Sequence, residues 1–159
     1  GMYKRSWVAV IGWIILCELA GVVGSIFSIS AIPAWYMALQ KPALNPPNSV
    51  FGPVWITLYA LMGISAFLVW RQDSSTRLRR WALSLFLLQL GVNTIWSIVF
   101  FGGHALGASL IIILFLWCLI VGTILLFWRI SRTAAVLLVP YLLWVSFATY
   151  LTYGIWRLN

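Results

Sequence analysis

Five stretches of the chain are long and apolar enough to cross a hydrocarbon core, which takes about 20 residues of helix. They run approximately Trp7–Ile29, Ser49–Trp70, Trp81–Phe101, Ala105–Trp128 and Ala134–Trp156. Polar residues collect between them. Ser30–Asn48 is the one long connection, whereas Arg71–Arg80, Gly102–His104 and Arg129–Thr133 are short. Short connections make neighbouring helices antiparallel. The pattern predicts an all-α membrane protein, a five-transmembrane-helix bundle that takes up residues 1–159 as a single domain. The first stretch is too long, and lacks the small-residue cleavage site, to be a simple signal peptide. Gly1, ahead of Met2, reads as an addition and is set aside.

Composition excludes the soluble alternatives. The 159 residues are 64% hydrophobic and only 8% charged, against about a quarter charged in an ordinary soluble domain. A soluble enzyme lacks the polar surface it needs here, and disorder is excluded by the same apolar excess. The formal net charge of +8 comes from residues lying between apolar blocks, so it reads as membrane orientation rather than nucleic-acid binding. Lys4, Arg5, Arg71, Arg77, Arg79, Arg80, Arg129 and Arg132 fall on the N-terminal side, and only Lys41 and Arg157 on the other. The positive-inside rule then puts the N-terminus in the cytoplasm, and the long loop and C-terminus outside. That assignment takes the membrane to be of the plasma type. Cys17 and Cys118 sit in apolar runs without metal or redox spacing and read as small buried hydrophobes.

Eleven tryptophans in so short a chain are unusual. Trp7, Trp35, Trp70, Trp81, Trp128 and Trp156 fall at span ends, where an interfacial aromatic belt is expected. Trp13, Trp55, Trp96, Trp117 and Trp144 lie deeper. An indole N–H in hydrocarbon wants a partner, so these either pack the bundle or line a pocket.

No catalytic constellation is present. His104, the sole histidine, sits in a turn beside Gly102 and Gly103, and Asp73, among arginines, reads as a solvated ion pair. Glu18 is different, because a carboxyl midway along a span is expensive. It is either a neutral group hydrogen-bonded to a neighbouring helix or a functional one. Around it Cys17, Gly21 and Ser25, and Ala20, Gly24 and Ser28, recur at spacing four. Small residues at that interval admit close helix approach, within the bundle or in a dimer. Gln89, Asn93, Trp96 and Ser97 share a helical face in span three, and Tyr141, Trp144, Ala148 and Leu151 share one in span five. Ala148 between two large residues leaves a notch. The long loop, with Trp35, Tyr36 and Leu39 ahead of Pro42, Pro46 and Pro47, is stiff and too apolar for a free loop. It reads as a lid over residues 30–48.

The run Trp35-Tyr36…Gln40-Lys41-Pro42…Pro46-Pro47…Gly52-Pro53-Val54-Trp55…Leu58-Tyr59…Met62-Gly63 resembles the translocator protein family. That family is also called the tryptophan-rich sensory proteins, or peripheral-type benzodiazepine receptors. Asn93…Trp96…Phe100-Phe101-Gly102 and Val139-Pro140-Tyr141-Leu142…Trp144…Phe147-Ala148-Thr149…Trp156-Arg157…Asn159 agree with it. The resemblance implies a five-helix bundle, often a homodimer, whose pocket is closed by the long loop. It implies binding of porphyrins such as protoporphyrin IX and haem, of sterols or other lipids, and of isoquinoline or benzodiazepine drugs. The porphyrin enters as a ligand, and no cofactor is required. The implied pocket positions are Tyr36, Trp55, Asn93, Trp96, Trp144, Ala148 and Leu151. Trp55 and Trp144 match tryptophans tied in some bacterial relatives to light-dependent porphyrin breakdown, and Leu151, Tyr153 and Arg157 fit a sterol-recognition pattern. Leu44 stands where a Trp is frequent. Gly107-Ala108-Ser109 stands where animal members carry a pocket Trp, so that wall is expected to be more open. Glu18 matches no family motif. The expected function is a tetrapyrrole-binding sensor, scavenger or regulator, with a porphyrin or sterol transporter and a light-dependent porphyrin-degrading enzyme as alternatives.

Overall fold

The computed structural model describes residues 2–31, 35–42, 49, 51–72 and 75–159, with backbone alone for 2–5 and 27–31. Helix α1 is Met2–Ala31, α2 is Phe51–Arg71 and α3 is Thr76–Ser97, which runs on into a π-helical turn at Ile98–Gly102. Helix α4 is Leu106–Ile130, α5 is Arg132–Leu137 and α6 is Val139–Leu158. Five segments are long and apolar enough to span a membrane: Ser6–Ile26, Phe51–Arg71, Thr76–Gly102, Leu106–Ile130 and Arg132–Leu158. The five-helix expectation holds. No strand occurs among the described residues. The expectations for Asp73, Leu44, Pro46 and Pro47 concern positions outside the described residues.

Three boundaries differ from the sequence pattern, each for a local reason. Helix α3 starts at Thr76 rather than Trp81, because an arginine-rich turn continues a helix past the hydrocarbon where water solvates its side chains. Arg79 there donates to the Gln72 carbonyl at 3.0 Å. The fifth span is broken at Leu138, two residues before Pro140, which has no backbone N–H and is tolerated only in the first turn of α6. The far end of α3 loosens into the π turn, closed by Gly103 N–H donating to the Ile98 carbonyl at 2.8 Å. His104, in the left-handed region at φ 53°, then reverses the chain.

Small residues set the helix spacing. A Cβ on Gly63 would lie 2.6 Å from the Ile14 Cα, and one on Gly21 would lie 2.5 Å from the Tyr59 ring. Helices α1 and α2 therefore touch almost backbone to backbone. A Cβ on Gly24 would meet the Ser97 side chain at 3.1 Å, and Cys17 is fully buried. Cys17, Gly21 and Gly24 thus do their packing inside the bundle. Polar side chains tie the helices further: Thr94 Oγ1 donates to the Ala20 carbonyl at 3.2 Å, Ser65 Oγ to the Ala134 carbonyl at 2.7 Å, and Trp117 Nε1 to Ser146 Oγ at 2.8 Å. Bonds of this kind between membrane helices contribute about 0.6–2 kcal/mol each. Trp13 packs edge-on against Phe86 at 6.1 Å, and Phe86 stacks on Phe127 at 5.9 Å. They fill the end of the bundle remote from the long loop.

Candidate functional site: an aromatic cavity under the loop

The loop-side end of the bundle is not filled. A cavity of about 600 Å³ lies there, among α1, α2, α3 and α6. Helix α2 gives it Phe51, Trp55 and Tyr59, a stripe at spacing four that only a helix aligns. Helix α6 gives Trp144, Ala148 and Leu151, and one turn further on Thr152 and Ile155. Trp55 stacks on Tyr59 at 5.5 Å and meets Trp144 edge-on at 6.3 Å. From α3 come Trp96 and, across the π turn, the adjacent Phe100 and Phe101. Widened turns of this kind recur at functional sites, and this one directs two neighbouring phenylalanines to the same cavity. Trp96 stacks on Phe100 at 5.3 Å.

The loop closes the end. Residues 35–38 form a helical turn, and Tyr36 is 3% exposed, with its ring against Phe51, Phe100 and Phe101. Trp35 lies outside it, stacked on His104 at 4.1 Å; it is therefore part of the loop packing rather than of a free interfacial belt. Lys41 Nζ caps the Leu39 carbonyl at 3.1 Å and lies 4.8 Å from the Tyr36 ring centroid. The last residue of the chain fastens the loop: Asn159 Nδ2 donates to the Gln40 carbonyl at 2.9 Å and its Oδ1 accepts from Gln40 N–H at 3.2 Å. Gly154 makes room for Pro42, whose ring would lie 2.9 Å from a Cβ there. On the α1–α2 side the wall is thin, since Val22 and Ile56 border the cavity yet face outward.

Beneath the cavity runs a closed polar chain. Tyr59 Oη donates to Asn93 Oδ1 at 2.8 Å, Asn93 Nδ2 donates to Tyr141 Oη at 2.7 Å, and Tyr141 Oη donates to Gln89 Oε1 at 2.7 Å. All four side chains are buried, Asn93 to 1% exposure. Asn93, expected among the pocket positions, is not one of the residues that border the cavity. Both ends of its amide are taken, and it holds the floor rather than facing the cavity. Tyr36, Trp55, Trp96, Trp144, Ala148 and Leu151 do border the cavity.

The sterol pattern is divided. Leu151 faces the cavity, whereas Tyr153 is exposed and bonded on the outer surface to Arg157, whose guanidinium donates to its hydroxyl at 3.0 Å. A three-residue site on one face is not formed. The wall at 107–109 is not opened either. No described residue of α4 borders the cavity, and Gly107 instead abuts the Trp156 indole, 3.3 Å from where its Cβ would be. Of the lining residues missed at the sequence level, Tyr59, Phe100, Thr152 and Ile155 each lie four positions beyond one that was named, so for these the helical period was the available signal; Phe101 and the α1 residues Gly21, Val22, Gly24 and Ser25 had no such signal.

Two polar atoms in this wall stand out. The indole Nε1 groups of Trp96 and Trp144 are buried, and neither has a hydrogen-bond partner among the described residues. A buried unsatisfied donor costs about 1–3 kcal/mol, and such atoms in a native fold call for an explanation. In chemical terms, the site offers flat aromatic faces, with two buried indole N–H groups within its wall.

Comparison with known proteins places this arrangement. The model of the TspO/MBR family matches residues 13–157. The chain is 42% identical over 148 residues to the tryptophan-rich protein TspO of Chlorobaculum tepidum, covering 91% of each chain. It is 38% identical over 154 residues to the human translocator protein, covering 96% of this chain and 91% of that one. Protein CrtK of Rhodobacter capsulatus is 38% identical over 147 residues, covering 92% and 90%.

Proposed function

The chain belongs to the TspO/MBR family as an integral, multi-pass membrane protein, and from that premise we propose that its cavity binds a flat tetrapyrrole. The observation that carries this reading is the aromatic cavity itself, lined by Phe51, Trp55, Trp96, Phe100, Phe101 and Trp144. Apolar walls with a few directed polar groups suit a flat hydrophobic ligand. In this reading the ring stacks on the indoles and phenyl rings of that wall. Among the described residues no His or Cys borders the cavity, and this reading rests on ring stacking rather than on an axial ligand. The protein then acts as a sensor, scavenger or regulator of porphyrin, with the N-terminus on the cytoplasmic side as the arginine distribution directs. The names of two relatives, tryptophan-rich sensory protein and translocator protein, accord with a sensing or carrying role.

The test is a titration of purified protein with protoporphyrin IX, haemin and cholesterol, read by tryptophan fluorescence. Saturable quenching by both tetrapyrroles at one site per chain is expected. Quenching that rises without saturation, as for partition into the micelle, overturns the reading. A second reading, light-driven breakdown of the bound porphyrin, is favoured by the contact chain Trp144–Trp55–Tyr59, whose readily oxidised rings line the ligand's place. Product that forms equally in the dark excludes it.

A further inference from the structure

Glu18 plays no part in the packing described so far, yet it borders the cavity. It lies about midway along the span Ser6–Ile26, one turn before Gly21 and Val22, on the thin side of the wall. Its carboxyl has no hydrogen bond or ion pair among the described residues. Every Lys and Arg lies outside the spans or within five residues of a span end, away from the middle of the membrane where Glu18 sits. Tyr59 on α2, which also borders the cavity, has already given its hydroxyl proton to Asn93. An acceptor midway along a membrane span with no donor of its own is expensive, and such groups face interior cavities where they act. The bland alternative, a carboxyl satisfied by a neighbouring helix, is absent among the described residues.

We propose that the Glu18 carboxyl is the acceptor for a hydrogen-bond donor on the bound ligand, and that the cavity selects flat aromatic molecules with a donor at one edge. That donor, a ring N–H or O–H, meets Glu18 while the ring lies in the aromatic part of the cavity. This rests on the reading of the cavity as a ligand site. It goes beyond it in assigning a residue and a polarity to the ligand. Among the described lining residues Glu18 is the one carboxyl, set on α1 beside aromatic, aliphatic and hydroxyl side chains, a feature that an apolar slot lacks.

Two isosteric tricyclic probes test this. Acridone carries an N–H and a carbonyl on opposite edges; xanthone has the same outline and carbonyl, with a ring oxygen in place of the N–H. Wild-type protein should bind acridone about tenfold more tightly than xanthone, the difference that one hydrogen bond to an acidic group makes. Glu18→Leu should bring the two probes to equal affinity by weakening acridone and sparing xanthone. Glu18→Gln, which keeps an acceptor oxygen, should preserve the preference for acridone. Equal affinities in the wild type overturn the inference without any variant, and so does a preference that survives Glu18→Leu. If protoporphyrin IX binds but acridone does not, the assignment of Glu18 fails while the tetrapyrrole reading stands. If protoporphyrin IX, acridone and xanthone all fail to bind, the cavity reading fails and this inference with it.

Discussion

The cavity wall and the floor beneath it meet at Tyr59, yet their polar groups are treated oppositely. In the floor, Tyr59, Asn93, Tyr141 and Gln89 pass hydrogen bonds from one to the next across three helices. In the wall, one turn along α3 and α6 from Asn93 and Tyr141, the N–H groups of Trp96 and Trp144 have no partner among the described residues. Water is scarce inside a bilayer, so a polar group that the protein does not satisfy is a cost to the fold. The floor is satisfied and holds the helices together. The wall carries that cost beside the cavity proposed as a ligand site.

This contrast breaks most readily at the floor. Tyr141→Phe removes one bond given and one received, stranding Asn93 Nδ2 and Gln89 Oε1. It should cost about 2–3 kcal/mol of stability, seen as a clear drop in the melting midpoint in detergent, while folded protein keeps its porphyrin affinity. A midpoint unchanged by this substitution would remove the structural role of the chain.

At the wall the sign should reverse. Trp144→Phe keeps a ring against Phe51 and Trp55 but deletes an unsatisfied donor. Thermal stability without ligand should hold or rise slightly, while porphyrin binding weakens about threefold to tenfold, the effect of roughly 0.5–1.5 kcal/mol. A variant that lost stability and kept affinity would place Trp144 with the floor.

The smallest effect belongs to the loop fastening. Asn159→Ala gives up the paired bonds to Gln40, which are exposed and worth about 0.5 kcal/mol together. Porphyrin should dissociate about twofold faster in stopped flow, with no change in melting. An unchanged rate would mean that the loop does not gate exit.

The five spans were legible because hydrocarbon thickness imposes a length that no other constraint imitates. Their ends were less so, since α3 begins in an arginine-rich turn and Leu138 breaks the fifth span for reasons of water and proline rather than hydropathy. The stripe Trp55, Trp144, Ala148 and Leu151 was readable as one helical face on each of two helices. Asn93 was not, although its face was correctly grouped with Trp96. A helical face tells where a side chain points but not which neighbour reaches it first, and the hydroxyls of Tyr59 and Tyr141 come from other helices. Sterol-pattern spacing failed for a related reason: residues two apart on a helix point to nearly opposite sides, which sends Leu151 inward and Tyr153 out.

The thin wall at Val22 and Ile56 bears on how any binding constant is to be expressed. An apolar ligand dissolves in the acyl chains before it meets the protein, and that flank opens toward them rather than toward water. The controlling quantity is then the ligand's mole fraction in lipid, so diluting a fixed amount of ligand and protein into more lipid weakens apparent binding even though no contact has changed. Titrations at several lipid-to-protein ratios should collapse onto one curve when plotted against mole fraction, and scatter when plotted against molarity.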